Sequence, residues 1–209
     1  MGRLRPALIE RLVRYYHVLV EMKAADVSEH FSTEEIGSEV GVDSSQVRKD
    51  MARIGIKGRP RVGFEISTVL ANISGRLGFD TECPAIIVGS GRLGGALASY
   101  PNFGPYGLKL VAAFDIDERR INKRVGDLVV MPLDQLCNVV KENAVELAVI
   151  TVPAREAQGV ADKLVEAGIK AIWNFSSPRV NTPDGVYVRN EHIAVGLGEL
   201  THHLRYPEQ

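Results

Sequence analysis

The sequence predicts an α/β chain of two domains, a small helical one followed by a doubly wound parallel sheet, and three observations carry that prediction. In the first third of the chain, apolar residues recur at three- and four-residue spacing between cap and turn residues, which is helical periodicity. From residue 85 onward, short apolar runs alternate with helical stretches, an order that packs economically only as a parallel sheet with helices on both faces. The first of those runs leads straight into Gly89-Ser90-Gly91-Arg92-Leu93-Gly94, a glycine pattern that shapes a phosphate-binding turn when it joins a strand to a helix.

The totals set the frame. A chain of 209 residues, 45% hydrophobic and 24% charged, has the composition of a folded protein with room for two modest domains. The start Met1-Gly2-Arg3-Leu4-Arg5-Pro6 lacks the apolar core of a secretory signal, and no stretch approaches the ~20 apolar residues that cross a bilayer. A soluble, cytoplasmic protein without a membrane partner is expected. Cys83 and Cys137 stand far apart and form no Cys-x-x-Cys pair, so neither a disulfide framework nor a metal site is expected. The net charge of -1 hides a local asymmetry: between residues 47 and 61, Arg48, Lys49, Arg53, Lys57, Arg59 and Arg61 face one acid, Asp50. An anionic partner is therefore expected at this segment.

Pro6 suits a first helical position, and Ile9, Leu12, Val13, Tyr16, Leu19 and Val20 form the apolar stripe expected to be buried by the first helix. Ser32-Thr33-Glu34-Glu35 reads as a capping box opening a short second helix that buries Ile36 and Val40. Gly41-Val42 makes a tight turn. Asp43-Ser44-Ser45-Gln46 offers a further cap, with Gln46 at the third helical position, for a third helix burying Val47, Met51 and Ile54. That spacing projects Ser44, Ser45, Gln46, Arg48 and Lys49 near the helix start. Two helices joined by so short a turn are the arrangement in which a recognition helix enters the major groove of DNA. Gln46 has the donor and acceptor pair that matches adenine, Arg48 and Lys49 can reach guanine edges or phosphates, and Ser44 and Ser45 can bond phosphates. After Gly55, the glycine-rich basic segment Ile56-Lys57-Gly58-Arg59-Pro60-Arg61-Val62-Gly63-Phe64 reads as a wing, a hairpin whose cations follow the backbone or enter the minor groove. With Arg53, these residues make a winged helix-turn-helix. Three small helices with a basic flank also serve as protein-docking modules, and a charge run is often only a solvated face.

Ile66, Val69, Leu70, Ile73 and Leu77 form a further helical stripe ending near Gly78, and Thr81-Glu82-Cys83-Pro84 breaks it. The boundary is placed there: a DNA-binding domain over 1–80 and a second domain over 81–190. No long linker separates them. Ala85-Ile86-Ile87-Val88 is the first buried strand. In the glycine turn after it, Gly89 allows the bend, Gly91 lets the backbone approach a pyrophosphate, and Gly94 allows helix and strand to pack closely. The second strand, 108–114, ends in Asp115, where a carboxylate bonds ribose hydroxyls and repels a 2'-phosphate, favouring NAD(H) over NADP(H). Strands at 129–130, 147–152 and 171–175 and helices at 134–143 and 155–167 complete a Rossmann fold. Thr151-Val152-Pro153 and Asn174-Phe175-Ser176, at strand carboxyl ends, are the expected walls of the nicotinamide pocket.

No histidine or lysine stands at those strand ends to act as proton donor, and no separate substrate domain fits, so a non-enzymatic role is expected. Two alternatives stay open: a small NAD-dependent dehydrogenase with an accessory helical domain, and a nucleotide or coenzyme A binding module whose N-terminal helices dock a protein. His202 and His203 are adjacent, point apart on a helix, and make poor joint metal ligands. The terminal helix, about 192–204, presents Ile193, Leu197, Leu200 and Leu204 along one side and suggests a partner subunit.

Gln46-Val47-Arg48-Lys49-Asp50, Arg59 to Phe64, Val88-Gly89-Ser90-Gly91-Arg92-Leu93-Gly94, Tyr100-Pro101-Asn102-Phe103-Gly104, Phe114-Asp115-Ile116-Asp117, Thr151-Val152-Pro153 and Asn174-Phe175 together resemble the redox-sensing repressor family Rex over essentially the whole length. The resemblance implies a homodimer whose C-terminal helix, within 191–209, swaps across to the other subunit. It also implies a palindromic double-stranded operator, release from it by NADH, and competition by NAD+ for the same site. Tyr100 and Phe103 are thereby candidates for sensing the nicotinamide. Three positions depart from the family pattern: Pro60-Arg61 replaces a basic residue and glycine, His192 stands where an aspartate is expected, and His17 replaces an arginine.

Overall fold

The computed structural model describes residues 4–26, 28–177 and 179–206, with the side chain of Ile193 also left aside. Met1-Gly2-Arg3 of the charged start and the Ile193 side chain of the expected terminal stripe therefore lie outside the described residues. The chain divides into two compact units, Met1–Thr81 with Pro105–Gly107, and Glu82–Gly104 with Leu108–Gln209.

In the first unit, α1 (Pro6–Ala24) opens with Pro6, whose missing N–H costs nothing in the first helical turn. It buries Leu8, Leu12, Tyr15, Tyr16 and Leu19. The buried face is rotated from the expected stripe: Ile9 is exposed, and Leu8 and Tyr15 take the core positions. Both choices of face satisfy the same 3.6-residue period, so only the neighbouring helices decide between them. α2 (Thr33–Val40) has the expected capping box, with the Glu35 amide donating to the Ser32 hydroxyl and the Ser32 amide donating to the Glu35 carboxylate. It ends at Gly41, whose φ of 67° is left-handed. α3 (Ser44–Arg53) is capped by Asp43, whose carboxylate accepts from the Ser45 amide. Gln46 does not close a capping box there; its side chain is bonded to Asp50 instead.

Two short strands were not apparent as a pair in the sequence. β1 (His30–Phe31) and β2 (Phe64–Glu65) pair antiparallel, and the rings of Phe31 and Phe64 stack at 5.6 Å. Strands of two residues carry too little pattern to read, and this pair brings together residues more than thirty positions apart. Between α3 and β2 the chain makes a hairpin in which Arg59 and Gly63 exchange backbone hydrogen bonds. Its turn has Pro60 followed by Arg61 at φ 63°, with the Val62 amide donating to the Arg59 carbonyl, the pattern of a type II turn. α4 (Ile66–Leu77) buries Ile66, Val69, Leu70 and Ile73, each contributing ~1.5–3 kcal/mol on transfer from water. Pro105–Gly107 joins this unit because the Tyr16 hydroxyl donates to the Pro105 carbonyl at 2.9 Å and the Tyr106 ring packs on Tyr16 and Phe79.

The second unit is a seven-stranded sheet. Its strands are β3 (Cys83–Val88), β4 (Leu108–Asp115), β5 (Arg124–Val125), β6 (Leu128–Pro132), β7 (Leu147–Ile150), β8 (Ala171–Asn174) and β9 (Tyr187–Asn190). Their order is β5-β6-β4-β3-β7-β8-β9, parallel throughout except for the β5–β6 edge hairpin. The helices α5 (Arg92–Ala98), α6 (Leu136–Glu142) and α7 (Ala154–Glu166) connect the strands. α5 begins at Arg92, directly after Gly91. Three-ten turns at Pro101–Tyr106 and Leu133–Gln135 precede β4 and α6. Because β4 and β6 extend one way from β3 while β7 and β8 extend the other, the chain reverses direction between β3 and β7. That switch point leaves a crevice at the strand carboxyl ends. The last helix, α8 (Ile193–Arg205), exposes Val195, Leu197, Leu200 and Leu204 at 58%, 62%, 66% and 84%. No described helix is long and apolar enough to cross a membrane, and no cluster of metal-ligating residues occurs among the described residues.

Candidate functional site

The crevice at the switch point is built by close backbone approach. Gly89, at φ 102°, turns the chain out of β3, and a Cβ at Gly94 would lie 1.9 Å from the Gly89 carbonyl and 2.7 Å from Thr151 Oγ1. Only glycine lets α5 start this close to the strand it follows. The Thr151 hydroxyl donates to the Gly89 carbonyl at 2.7 Å, so Thr151 underpins the glycine turn from β7. Gly91, which lines the crevice, is the N-cap of α5, and the amides of the first turn, from Arg92 and Leu93 onward, lack helical partners and carry the positive end of the helix dipole.

Asp115 ends β4 beside this turn. Its carboxylate accepts from the Ser90 amide at 2.8 Å, the Ser90 hydroxyl at 2.7 Å and the Asp117 amide at 3.0 Å. Burial pushes its pKa up, but these hydrogen bonds and Arg120 outweigh that and hold the group below the usual carboxylate value. Asp117 is brought down to about 2, chiefly by the Arg119 side chain and amide. Arg119 points outward onto Asp117, whereas Arg120 reaches back to within 3.9 Å of Asp115 and lies over Gly91. A cavity of about 430 Å³ is lined by Gly89, Gly91, Asp115, Val152 and Pro153, all named from the sequence. Ile116 and Arg120, which the sequence placed beside Asp115 without assigning them to the site, also line it, as do Leu133, Glu156 and Lys163, which were missed. The signal for the last two is weak: Glu156, Gly159, Val160 and Lys163 repeat every three or four residues on one face of α7, a stripe that ordinarily marks a solvated helix.

Tyr100, Phe103 and Phe175 do not line that cavity. They form an aromatic cluster through Trp173, with ring separations of 4.9 Å for Tyr100–Phe103, 6.0 Å for Phe103–Trp173 and 4.8 Å for Trp173–Phe175. Trp173, unremarked in the sequence, donates its indole N–H to Glu191. Asn174 is fully buried and holds the loop after β8, its amide NH2 donating to Asn190 and its carbonyl accepting from the Ser176 amide. The Ser176 hydroxyl in turn donates to the Val152 carbonyl at 2.6 Å, tying the walls after β7 and β8 together.

In the first unit, Ser45, Arg48, Lys49, Arg53, Lys57, Arg59 and Arg61 are exposed, with Ser44 and Gln46 half-buried on α3. Arg48 leans toward α2, with Nη2 at 3.4 Å from Thr33 Oγ1 and 3.8 Å from Glu34. The basic side chains thus run along α3 to its last residue, Arg53, and continue through Lys57 into the hairpin. Beneath them Asp50 is fully buried and takes a two-point bond from Arg11, at 2.6 and 3.0 Å, and bonds from Tyr15 and Gln46. Burial opposes its charge, yet Arg11 and Gln46 hold its pKa below the usual value, while burial and Asp50 raise that of Tyr15.

Comparisons with known proteins agree with both halves. Residues 80–177 match the family described as "CoA binding domain", and residues 6–52 match "Putative DNA-binding protein N-terminus". A redox-sensing transcriptional repressor Rex from Treponema denticola is 40% identical over 92% of this chain and 91% of its own. Its counterpart from Carboxydothermus hydrogenoformans is 39% identical over 95% of each. Among solved structures, RSP in complex with β-NAD+ and operator DNA superimposes with a TM-score of 0.88 at 33% identity, covering 98% of this chain and 94% of that one. RSP in complex with β-NADH gives 0.86 at 33% identity, covering 98% and 96%. Full-length identity at this level, over a shared two-unit fold, places the chain in the Rex family of redox-sensing transcriptional repressors.

Proposed function

We propose that this protein is a repressor that binds operator DNA through α3 and the 59–63 hairpin and reads the NADH/NAD+ ratio through the crevice of its second unit. The observation that carries this reading is the crevice itself, whose glycine turn, helix N-terminus and low-pKa Asp115 match a dinucleotide in charge and shape. The pyrophosphate would lie across Gly91 on the amides of Arg92, Leu93 and Gly94, with Arg120 closing over it. Asp115 would take ribose hydroxyls, and its charge disfavours a 2'-phosphate. NADH and NAD+ differ in the planarity and charge of the nicotinamide, so the discriminating contacts belong at that end. Tyr100, Phe103, Thr151, Val152, Pro153, Asn174 and Phe175 are assigned to it. Thr151 and Asn174 act there by holding backbone, given the bonds they already make.

On the DNA side, Ser44, Ser45, Gln46, Arg48 and Lys49 face the major groove, and Arg53, Lys57, Arg59 and Arg61 meet phosphates or the minor groove. The exposed apolar row of α8 is assigned to a second copy of the chain, exchanged in a homodimer that presents two recognition helices to a palindrome. A ligand moves such a dimer between two arrangements only by its differential affinity, and a shift from 1:99 to 99:1 takes roughly 5.5 kcal/mol. Two cofactor sites would share it.

The test is selection of duplex DNA from a random pool by the purified protein, followed by titration of the selected site with NADH, NAD+ and coenzyme A at two salt concentrations. The expected result is a palindrome released by NADH, with binding that weakens by ~0.9 log units per neutralised phosphate per log unit of salt. An unenriched pool with tight NADH binding would sink the repressor reading. Displacement of NADH by coenzyme A would favour the ligand that the matched "CoA binding domain" description names.

A further inference from the structure

Gln46 and Asp50 are one helical turn apart on α3, and their bond decides something about Gln46 that its own rotamer does not. An amide side chain is nearly the same shape with its oxygen and nitrogen exchanged, so which end faces DNA is set by what the other end must satisfy. Asp50 is ionised, being fully buried against the Arg11 guanidinium, and an ionised carboxylate only accepts hydrogen bonds. Gln46 therefore has to turn its NH2 toward Asp50 Oδ1, which it does at 2.8 Å. Its carbonyl oxygen takes no hydrogen bond among the described residues, and the NH2 keeps a second proton. An exposed carbonyl beside one N–H is the pair that matches N6 and N7 of adenine; the reversed amide would present donors, which suit the acceptors of guanine.

We propose that Asp50 is a positioning residue for operator readout, which holds the Gln46 amide with its carbonyl outward and so sets an adenine preference at one position in each half-site. The inference rests on the DNA-reading role proposed for α3. It separates a second task from the evident structural one. Asp50 also ties α3 to α1 through Arg11 and Tyr15, and loss of that tie would weaken all DNA binding alike.

The test is Asp50→Asn in the full-length protein. Tyr15 and Arg11 Nε both donate to Oδ2, so the carbonyl of the new side chain belongs on that side and its NH2 faces Gln46. Gln46 must then turn over. That NH2 also meets Arg11 Nη2, a donor against a donor, so Arg11→Met combined with Asp50→Asn provides a second variant without the clash. Each protein is checked by thermal melting and then used to select from a random duplex pool, with the adenine and guanine versions of the responsive position compared by competition. The expected result is a shift of about tenfold or more from adenine toward guanine at a symmetric pair of positions. The shift should vanish when Gln46→Ala is also present, because Asp50 then has no amide to orient. Selection of the wild-type operator by both variants, with only a uniform loss of affinity, would overturn the inference and leave Asp50 a structural residue. Failure of the wild-type protein to enrich any sequence would instead overturn the DNA-reading role, and this inference with it.

Discussion

Replacing Gly91 by alanine separates cofactor binding from folding more cleanly than any other change in the crevice. Gly91 has φ -66°, a value alanine adopts without strain, and a Cβ there would meet only Arg120 Nη1, at 3.2 Å. That atom is the end of a flexible side chain and can move aside, so the stability of the variant should stay within ~0.5 kcal/mol of the parent. The new methyl nevertheless stands where the proposed pyrophosphate would approach the first-turn amides to ~2.9 Å. Each charge-assisted bond lost there is worth ~1.5–3 kcal/mol, so NADH should bind about tenfold to a hundredfold more weakly. Operator affinity without NADH should be unchanged. Titration calorimetry with NADH and release of a labelled operator give the two readouts. Two neighbours calibrate them. Gly94→Ala drives a Cβ to 1.9 Å from the Gly89 carbonyl and should lower the melting temperature as well as NADH affinity. Gly95→Ala meets Val125 at an ordinary 3.5 Å and should change neither. Wild-type NADH affinity in Gly91→Ala would mean that the pyrophosphate does not cross this turn, and the placement of the cofactor would have to be redrawn.

Further outcomes follow from the first unit and from α8. Asp50→Ala leaves the Arg11 guanidinium and the Tyr15 hydroxyl without their buried partner and should cost ~3–5 kcal/mol in urea unfolding at neutral pH. Because the folded-state pKa of Asp50 is depressed, its contribution is present above the unfolded value of ~3.9 and is lost as pH falls through the folded value; the variant should therefore lose less stability than wild type over the same acid window. Arg61→Gly removes a non-glycine residue from φ 63°, relieving roughly 1 kcal/mol of strain, and also removes a cation. The melt should rise while the salt slope of operator binding falls by ~1, and an unchanged slope would take Arg61 out of the phosphate contacts. Leu197→Asp with Leu200→Asp should abolish the proposed dimer and leave a monomer in sedimentation, since both side chains are more than 60% exposed in the single chain; a dimer that survives the pair would move the interface away from α8.

What the sequence by itself determined is whatever local spacing encodes. The capping box of Ser32 and Glu35, the Gly41 stop, the glycine turn after β3 and Asp115 at the end of β4 could all be placed because each is a residue type demanded by backbone geometry a few positions away. The alternation of strands and helices likewise implied the parallel sheet, whereas the strand order that makes its switch point came from the structure. Only the tertiary structure decided which of two helical faces α1 buries, because the periodicity allows Ile9 or Leu8 and the choice belongs to the helices it meets. It alone paired β1 with β2, carried Arg120 back over Gly91, and joined Tyr100, Phe103 and Phe175 into a cluster around Trp173. It also turned Asp50, the single acid in a basic run, from an exception into the buried anchor of α3. Its partner Arg11 lies 39 residues away in sequence, and a charge's meaning depends on whether folding leaves it in water or buries it against its opposite.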